Sequence, residues 1–306
     1  MLDGYLESTR YPPTSRPIAE LENYRAPEAP PPAVRSNDLP GGRTINQREH
    51  QNMYYVAEGE SATVKVELIV DGKPVTDGQP GGASLSKLEG KPRVQSASIA
   101  STTLKDDGAP PDERANDGTL TALVPFPTDV LKGFVGDLTL SANLRAGETL
   151  LTSTFGFLYT GHPPARFTGQ VRETIEDGSL VLRMGIEVER AAEYALRARL
   201  YDSDGKAAVF MIADGELEGG RGEVSFVAFG KLLRDASLKS PYALRDVEAY
   251  VVQADAYPDR LKVPTWPGPF VTRRYSLEDF SNKEWASAEK QARLDEIQRL
   301  IEAAPE

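Results

Sequence analysis

An all-β fold, two β-sandwiches in series, is predicted by three observations: a chain of 306 residues, a turn-rich composition with 26 Gly and 23 Pro, and apolar side chains at every second position in short runs between residues 60 and 255. Domains commonly hold about 100 to 150 residues, so this length calls for two cores plus tails. Short alternating runs separated by Gly and Pro are the pattern of half-buried strands stacked in sandwiches.

The elements follow in order. Residues 1–51 are rich in Pro, Arg and acidic residues, and Tyr11-Pro12-Pro13 and the run from Ala29 to Pro32 disfavour both helix and central strand, which predicts an extended arm. It is expected to pack across the first domain, to reach a partner, or to serve as a disordered linker. A first sandwich is expected over residues 52–162. Ala62, Val64, Val66, Leu68 and Val70 alternate with polar neighbours up to the Asp71-Gly72 turn. Further strands are expected around residues 94–104, 120–124, 138–144 and 151–159, with turns at Gly78 to Gly82, Asp106 to Gly118 and Gly147.

Gly161-His162-Pro163-Pro164 interrupts the strand pattern and marks a joint, so a second sandwich is expected over residues 163–257. Leu180, Leu182, Met184, Ile186 and Val188 share one face of its clearest strand, and Tyr194, Leu196, Ala198 and Leu200 share that of the next. Strands at 207–212, 224–229 and 247–252 complete it, with a short helix or turn at Lys231 to Ala236. The last stretch, 258–306, reads as an extended linker followed by a helix. Ser276 to Asp279 and Ser281 to Glu284 both resemble capping boxes, and Leu294, Ile297, Leu300 and Ile301 recur at helical spacing, which predicts an amphipathic helix over about 287–302.

Composition narrows the function. Thirty-five basic residues against 46 acidic ones give a net charge of −11, with no Lys/Arg-rich run. That argues against nucleic acid and anionic membrane as partners, because phosphate binding needs a basic footprint. The absence of cysteine removes disulfides, thiolate catalysis and cysteine zinc sites. No stretch has the apolar length of a transmembrane helix. Met1, Leu2 and Asp3 do not open a signal peptide, so an exported protein would be expected to begin here after a removed leader.

Several segments form a recognisable pattern. Phe167-Thr168-Gly169, Asp177-Gly178-Ser179-Leu180, Glu193-Tyr194, Leu200 to Gly205, Phe229-Gly230-Lys231 and Ser240 to Leu244 resemble the immunoglobulin-like module of bacterial choice-of-anchor X proteins and of a related, uncharacterised secreted proteobacterial family. Asp106 to Thr121 resembles that group's acidic turn, with Leu120 in place of its usual aromatic. The likeness runs over about residues 52–257. It implies an exported periplasmic or cell-surface protein with tandem immunoglobulin-like β-sandwiches, to which the residue patterns above add an extended N-terminal arm and a C-terminal amphipathic helix. It implies no reaction and no substrate.

Candidate sites are few. Asp106, Asp107, Asp112, Asn116 and Asp117, with Gly108 and Gly118 at the turns, offer the hard oxygen ligands calcium needs, although their spacing is not that of an EF-hand. The same residues also suit a plain turn, since Asp and Asn bond their own backbone. Asp202, Ser203 and Asp204 before Gly205 form a second acidic turn, of the kind any hairpin uses. Trp266 and Phe270, set among prolines, are candidate binding aromatics or plugs of a seam; Trp285 is a candidate anchor of the tail helix. His50 and His162 lack metal-ligand neighbours, and no nucleophile elbow, zinc-protease, P-loop or dinucleotide motif occurs. No catalytic residue is therefore expected. The leading expectation is a non-enzymatic binding or assembly protein with a protein partner; the alternatives are a calcium-stabilised, glycan-binding lectin-like module and a secreted hydrolase.

Overall fold

The computed structural model describes residues 2–21, 29–39, 41–76 and 79–302. Residues 22–28 and 40 of the arm, and Gly78 of the expected turn, lie outside the described residues. The chain is all-β, with helices at Leu2–Ser8, Gly230–Asp235 and Ala288–Glu302. It divides into two compact units, one of residues 25–164 and 253–264, the other of residues 1–24, 165–252 and 265–306.

The unit of residues 25–164 and 253–264 is built on two sheets. In the first, Ala33–Leu39, Arg43–Gln51 and Ala62–Val70 lie side by side, and Ala62–Val70 also carries Lys73–Pro74 and Thr119–Val124. The second runs Tyr55–Ala57, Thr149–Thr160, Val135–Ala146, Gly81–Glu89, Val94–Leu104. Alternation explains the core: Val64, Val66 and Leu68 from one sheet join Leu138, Leu140, Leu144, Phe155, Phe157 and Tyr159 from the other in a single buried cluster. Every second side chain of a strand points the same way, so each sheet delivers one apolar face to this cluster.

The other unit repeats the scheme. Ala165–Glu176, Ser179–Val188 and Gly220–Ala228 form a three-stranded sheet. In the second sheet Ser15–Pro17 pairs with Ala207–Ile212, which pairs with Ala192–Tyr201 and then Ala243–Val252; Gly215–Leu217 and Phe270–Val271 add short edges. Leu180, Leu182, Met184, Ile186 and Val188 are all buried on one face, as are Tyr194, Leu196, Ala198 and Leu200.

The termini correct the expected layout. Residues 1–51 are not one extended arm. Its first part forms the helix Leu2–Ser8 and then a strand whose Ser15 lies opposite Met211, so it packs on residues 207–212. Its second part supplies two full strands: Ala33 pairs with Glu49, and Ile45 with Val70. Pro12, Pro13 and Pro30 to Pro32 stand outside the strands, while Pro17 ends the edge strand Ser15–Pro17. The unit that begins near residue 25 also takes residues 253–264, in place of the sequential boundaries 52–162 and 163–257.

The tail holds two further details. Ser276 forms the expected capping box with Asp279, but around the single 3-10 turn Leu277–Asp279. The Ser281 motif starts no helix. Ser287 caps instead, its Oγ accepting the Lys290 N–H at 3.0 Å at the head of Ala288–Glu302. That helix is docked through buried Lys290 and Ile297, while Leu300 and Ile301 remain exposed. Phe280 is buried between the rings of Tyr242 and Tyr275, at centroid distances of 6.2 and 5.6 Å. Gly230 lets the tail in: a Cβ there would collide with the Gly178 carbonyl, which itself accepts the Ser281 N–H at 2.8 Å.

Candidate functional site, a recess at an open sheet edge

The strand Arg43–Gln51 turns Ile45, Gln47, Glu49 and Gln51 inward. Only Ile45 is apolar. Polar side chains at inward positions are expensive unless each finds a partner, so their contacts are informative. Gln47 is 2% exposed. Its Nε2 donates to Ser153 Oγ at 3.2 Å and to the Thr152 carbonyl at 3.5 Å, while Asn37 Nδ2 donates to its Oε1 at 2.8 Å. Gln51 Nε2 donates to the carbonyls of Gly156 and Met53, at 2.8 and 2.9 Å.

Both glutamines thus cap carbonyls of one strand, Thr149–Thr160. One side of this strand pairs with Val135–Ala146 along its whole length. Among the described residues the other side has a backbone strand partner only at its end, where Leu158, Tyr159 and Thr160 meet Tyr55, Val56 and Ala57. In an antiparallel strand the N–H and C=O of alternate residues point to the same side. Gly156 and Thr152 point theirs toward the glutamines and Leu158 donates toward Tyr54, so Thr154 turns its own N–H and C=O to the open edge between the two amide caps.

Glu49 lies between those glutamines in sequence and on the same face. It is 5% exposed. Arg35 Nε approaches its Oε2 at 3.4 Å, and its Oε1 is buried without a hydrogen-bond partner among the described residues. Glu49 and Thr154 line one recess of about 250 Å3, whose remaining walls are Pro30, Pro31, Ala33, Gln51, Tyr54, Phe155 and Gly156. Tyr54 is held edge-on against Tyr55, with ring centroids 5.0 Å apart. Tyr55 is fixed in turn by hydrogen bonds from its hydroxyl to the Asp259 carboxylate at 3.1 and 3.2 Å. Burial, more than any other cause, pushes its phenol up to about 12.

The residues singled out from sequence lie elsewhere. In the acidic loop, Asp106 accepts the N–H groups of Asp117 (3.1 Å) and Gly118 (2.8 Å), and Asp112 accepts that of Gly108 (2.6 Å). Asp107 and Asp117 each accept from the residue two places on, Ala109 and Thr119, and Asn116 holds a φ of +58°. These are the self-bonded turns for which Asp and Asn are suited. No three His, Cys, Asp or Glu side chains among the described residues are grouped to hold a metal ion. Asp202 likewise accepts the N–H groups of Asp204 and Lys206 within its hairpin.

Trp266 ends the strand Arg260–Trp266 half-buried, its indole nitrogen close over Gly169. Phe270 pairs through its backbone with Leu244. The Trp285 N–H faces the Arg10 carbonyl at 3.4 Å, and Lys290 Nζ donates to the carbonyls of Thr9 and Trp285, so Trp285 marks where the tail helix is tied to the N-terminal segment. Sequence reasoning missed Gln47, Glu49, Gln51, Tyr54 and Thr154. The sequence carries no signal for them: Ile45 is the single apolar residue of Arg43–Gln51, and Gln47, Glu49 and Gln51 alternate with the equally polar Asn46, Arg48 and His50.

The fold and this recess define an all-β protein of two sandwich units, one of which carries a buried, half-paired carboxylate at an open strand edge. No family model and no curated protein sequence matches the chain. Among solved structures it is similar to a DUF4785 family protein of Legionella pneumophila, with 13% identity, a TM-score of 0.39, and coverage of 74% of this chain and 57% of that one. It is also similar to trypsin-activated alpha-2-macroglobulin of Escherichia coli (13% identity, TM-score 0.26, 76% and 16% covered) and to beta-glucuronidase 3 of Bacteroides uniformis (10%, 0.21, 74% and 25%). The chain spans little more than half the length of the first and a quarter or less of the other two.

Proposed function

We propose that this protein is a non-enzymatic, exported bacterial binding or assembly protein, and that it receives a protein partner at the Glu49 recess. The observation that carries the reading is the combination of a 5% exposed Glu49 whose Oε1 has no partner among the described residues with a stretch of strand edge at Thr154 that no described strand pairs. A buried carboxylate left half-paired costs several kcal/mol of desolvation that its own fold does not recover. Such a group is retained most readily where an incoming molecule completes it. Strand edges are also a recurrent route by which β proteins take up polypeptide. Export rests on the resemblance to choice-of-anchor X modules, and recovery of the native protein from cytoplasm alone would remove that part.

A photo-crosslinking residue in place of Tyr54, in the full-length protein inside the producing bacterium, tests the partner. A discrete heavier adduct is expected from this position and none from the exposed Glu218. No adduct, or the same adducts from both positions, would overturn the reading.

A further inference from the structure

The chemistry of the recess is one-sided. Among the described residues its lining holds a carboxylate, an aromatic ring, two prolines and aliphatic or backbone surface, and no lysine or arginine. The amide donors that could have satisfied Glu49 are committed: Gln47 Nε2 to Ser153 and Thr152, Gln51 Nε2 to Gly156 and Met53. Arg35 lies close to Oε2 only, and at 3.4 Å this is longer than a charge-assisted hydrogen bond. What the recess lacks is a donor carrying positive charge on an apolar stem.

We infer that the recess takes a primary ammonium group, that of a lysine side chain on the partner protein. This deepens the reading above and rests on it. The lysine stem runs against Pro30, Pro31 and Phe155, as long cationic side chains do along apolar surface, and its ammonium meets Glu49 Oε1. The Tyr54 ring offers an additional attraction for the cation. Lysine is favoured over arginine by the number of free acceptors. A guanidinium is best held by both oxygens of a carboxylate at once, and here Oε2 already faces Arg35, which leaves one oxygen for a compact point charge.

The test is amide NMR on the full chain, titrated with Nα-acetyl-lysine methylamide, with its norleucine analogue (the same stem without the ammonium) and with its arginine analogue. Saturable shifts at the amides of Glu49 and Thr154 are expected with the lysine probe and not with norleucine, with the arginine probe weaker. Glu49→Gln, nearly isosteric, is expected to weaken the lysine probe by about tenfold while the remaining spectrum stays in place. Equal shifts with norleucine, tighter binding of arginine, or an unchanged response in Glu49→Gln would overturn the ammonium assignment. A crosslinked adduct at Tyr54 without a lysine response sinks the ammonium and spares the partner. A lysine response without an adduct keeps the ammonium site and removes the protein as its source.

Discussion

The two units treat the edges of their sheets differently. In the unit of residues 1–24, 165–252 and 265–306, backbone covers backbone: Ser15–Pro17 pairs in register with Met211 to Val209, and Phe270–Val271 pairs with Leu244 and Ala243. In the unit of residues 25–164 and 253–264, the strand Thr149–Thr160 has such cover from the described residues only over its last three positions, and side-chain amides cap carbonyls of the rest. Backbone pairing satisfies the N–H and C=O groups along the stretch it covers. Amide cover works at alternate residues only, so it leaves a gap, and Thr154 and Glu49 share it. The terminal segments thus add backbone pairs to one unit, where the other relies on side-chain amides along this strand.

The largest effect is expected where a terminal segment does the sealing. Phe280→Ala removes a 3% exposed ring packed between Tyr242 and Tyr275, and should cost about 3–5 kcal/mol in urea unfolding. A loss below about 1 kcal/mol would mean the tail is not part of that core.

High pH should strain both units together. Burial is the main cause that pushes the phenols of Tyr55 and Tyr159 in one unit, and of Tyr194 and Tyr242 in the other, up to about 12. A folded-state value above the unfolded one favours the protonated, folded form. Stability is thus unaffected by these groups below about pH 10 and falls as pH climbs from about 10 toward 12. Tyrosinate absorbance and far-ultraviolet circular dichroism should change in one step across that window. Ionisation of all twelve tyrosines near pH 10 with the fold intact would contradict their burial.

A smaller effect of opposite sign is expected at the recess. Glu49→Gln removes a desolvated charge with one unsatisfied oxygen and should raise stability by about 1 kcal/mol. Gln47→Ala, which strips the cap from Ser153 and Thr152, should lower it by about 1–2 kcal/mol. If both variants destabilise alike, Glu49 belongs to the structural caps and is not held back for a ligand. The smallest effect is expected from calcium. The carboxylates of Asp106 and Asp112 already accept backbone N–H groups, so millimolar calcium should leave the melting midpoint in place, and a clear rise would restore the loop as a metal site.

These contrasts also explain what could be read from the sequence. Strands such as Ser179–Val188 and Ala192–Tyr201 were legible because each buries one face in an apolar core, which forces Leu180, Met184, Tyr194 and Leu196 into alternation. The Asp106 to Gly118 loop was legible as a turn from its own short-range chemistry. The strand Arg43–Gln51 was not, because its inward face is polar at Gln47, Glu49 and Gln51 and imitates a solvated arm. Nor could local pattern say that Ser15 would sit opposite Met211, because the pairing joins segments almost two hundred residues apart. The recess was hidden for the same reason: its walls come from Pro30, Glu49 and Thr154, which no short window of sequence brings together.

The most direct test of an open edge at Thr154 is amide hydrogen exchange along Thr149–Thr160. The N–H of Thr154 should exchange orders of magnitude faster than those of Ser153 and Phe155, which point toward Val135–Ala146, and should slow when the lysine probe is present. Protection of Thr154 equal to that of its two neighbours in the free protein would show the edge already closed, and would leave Glu49 with no entrance to guard.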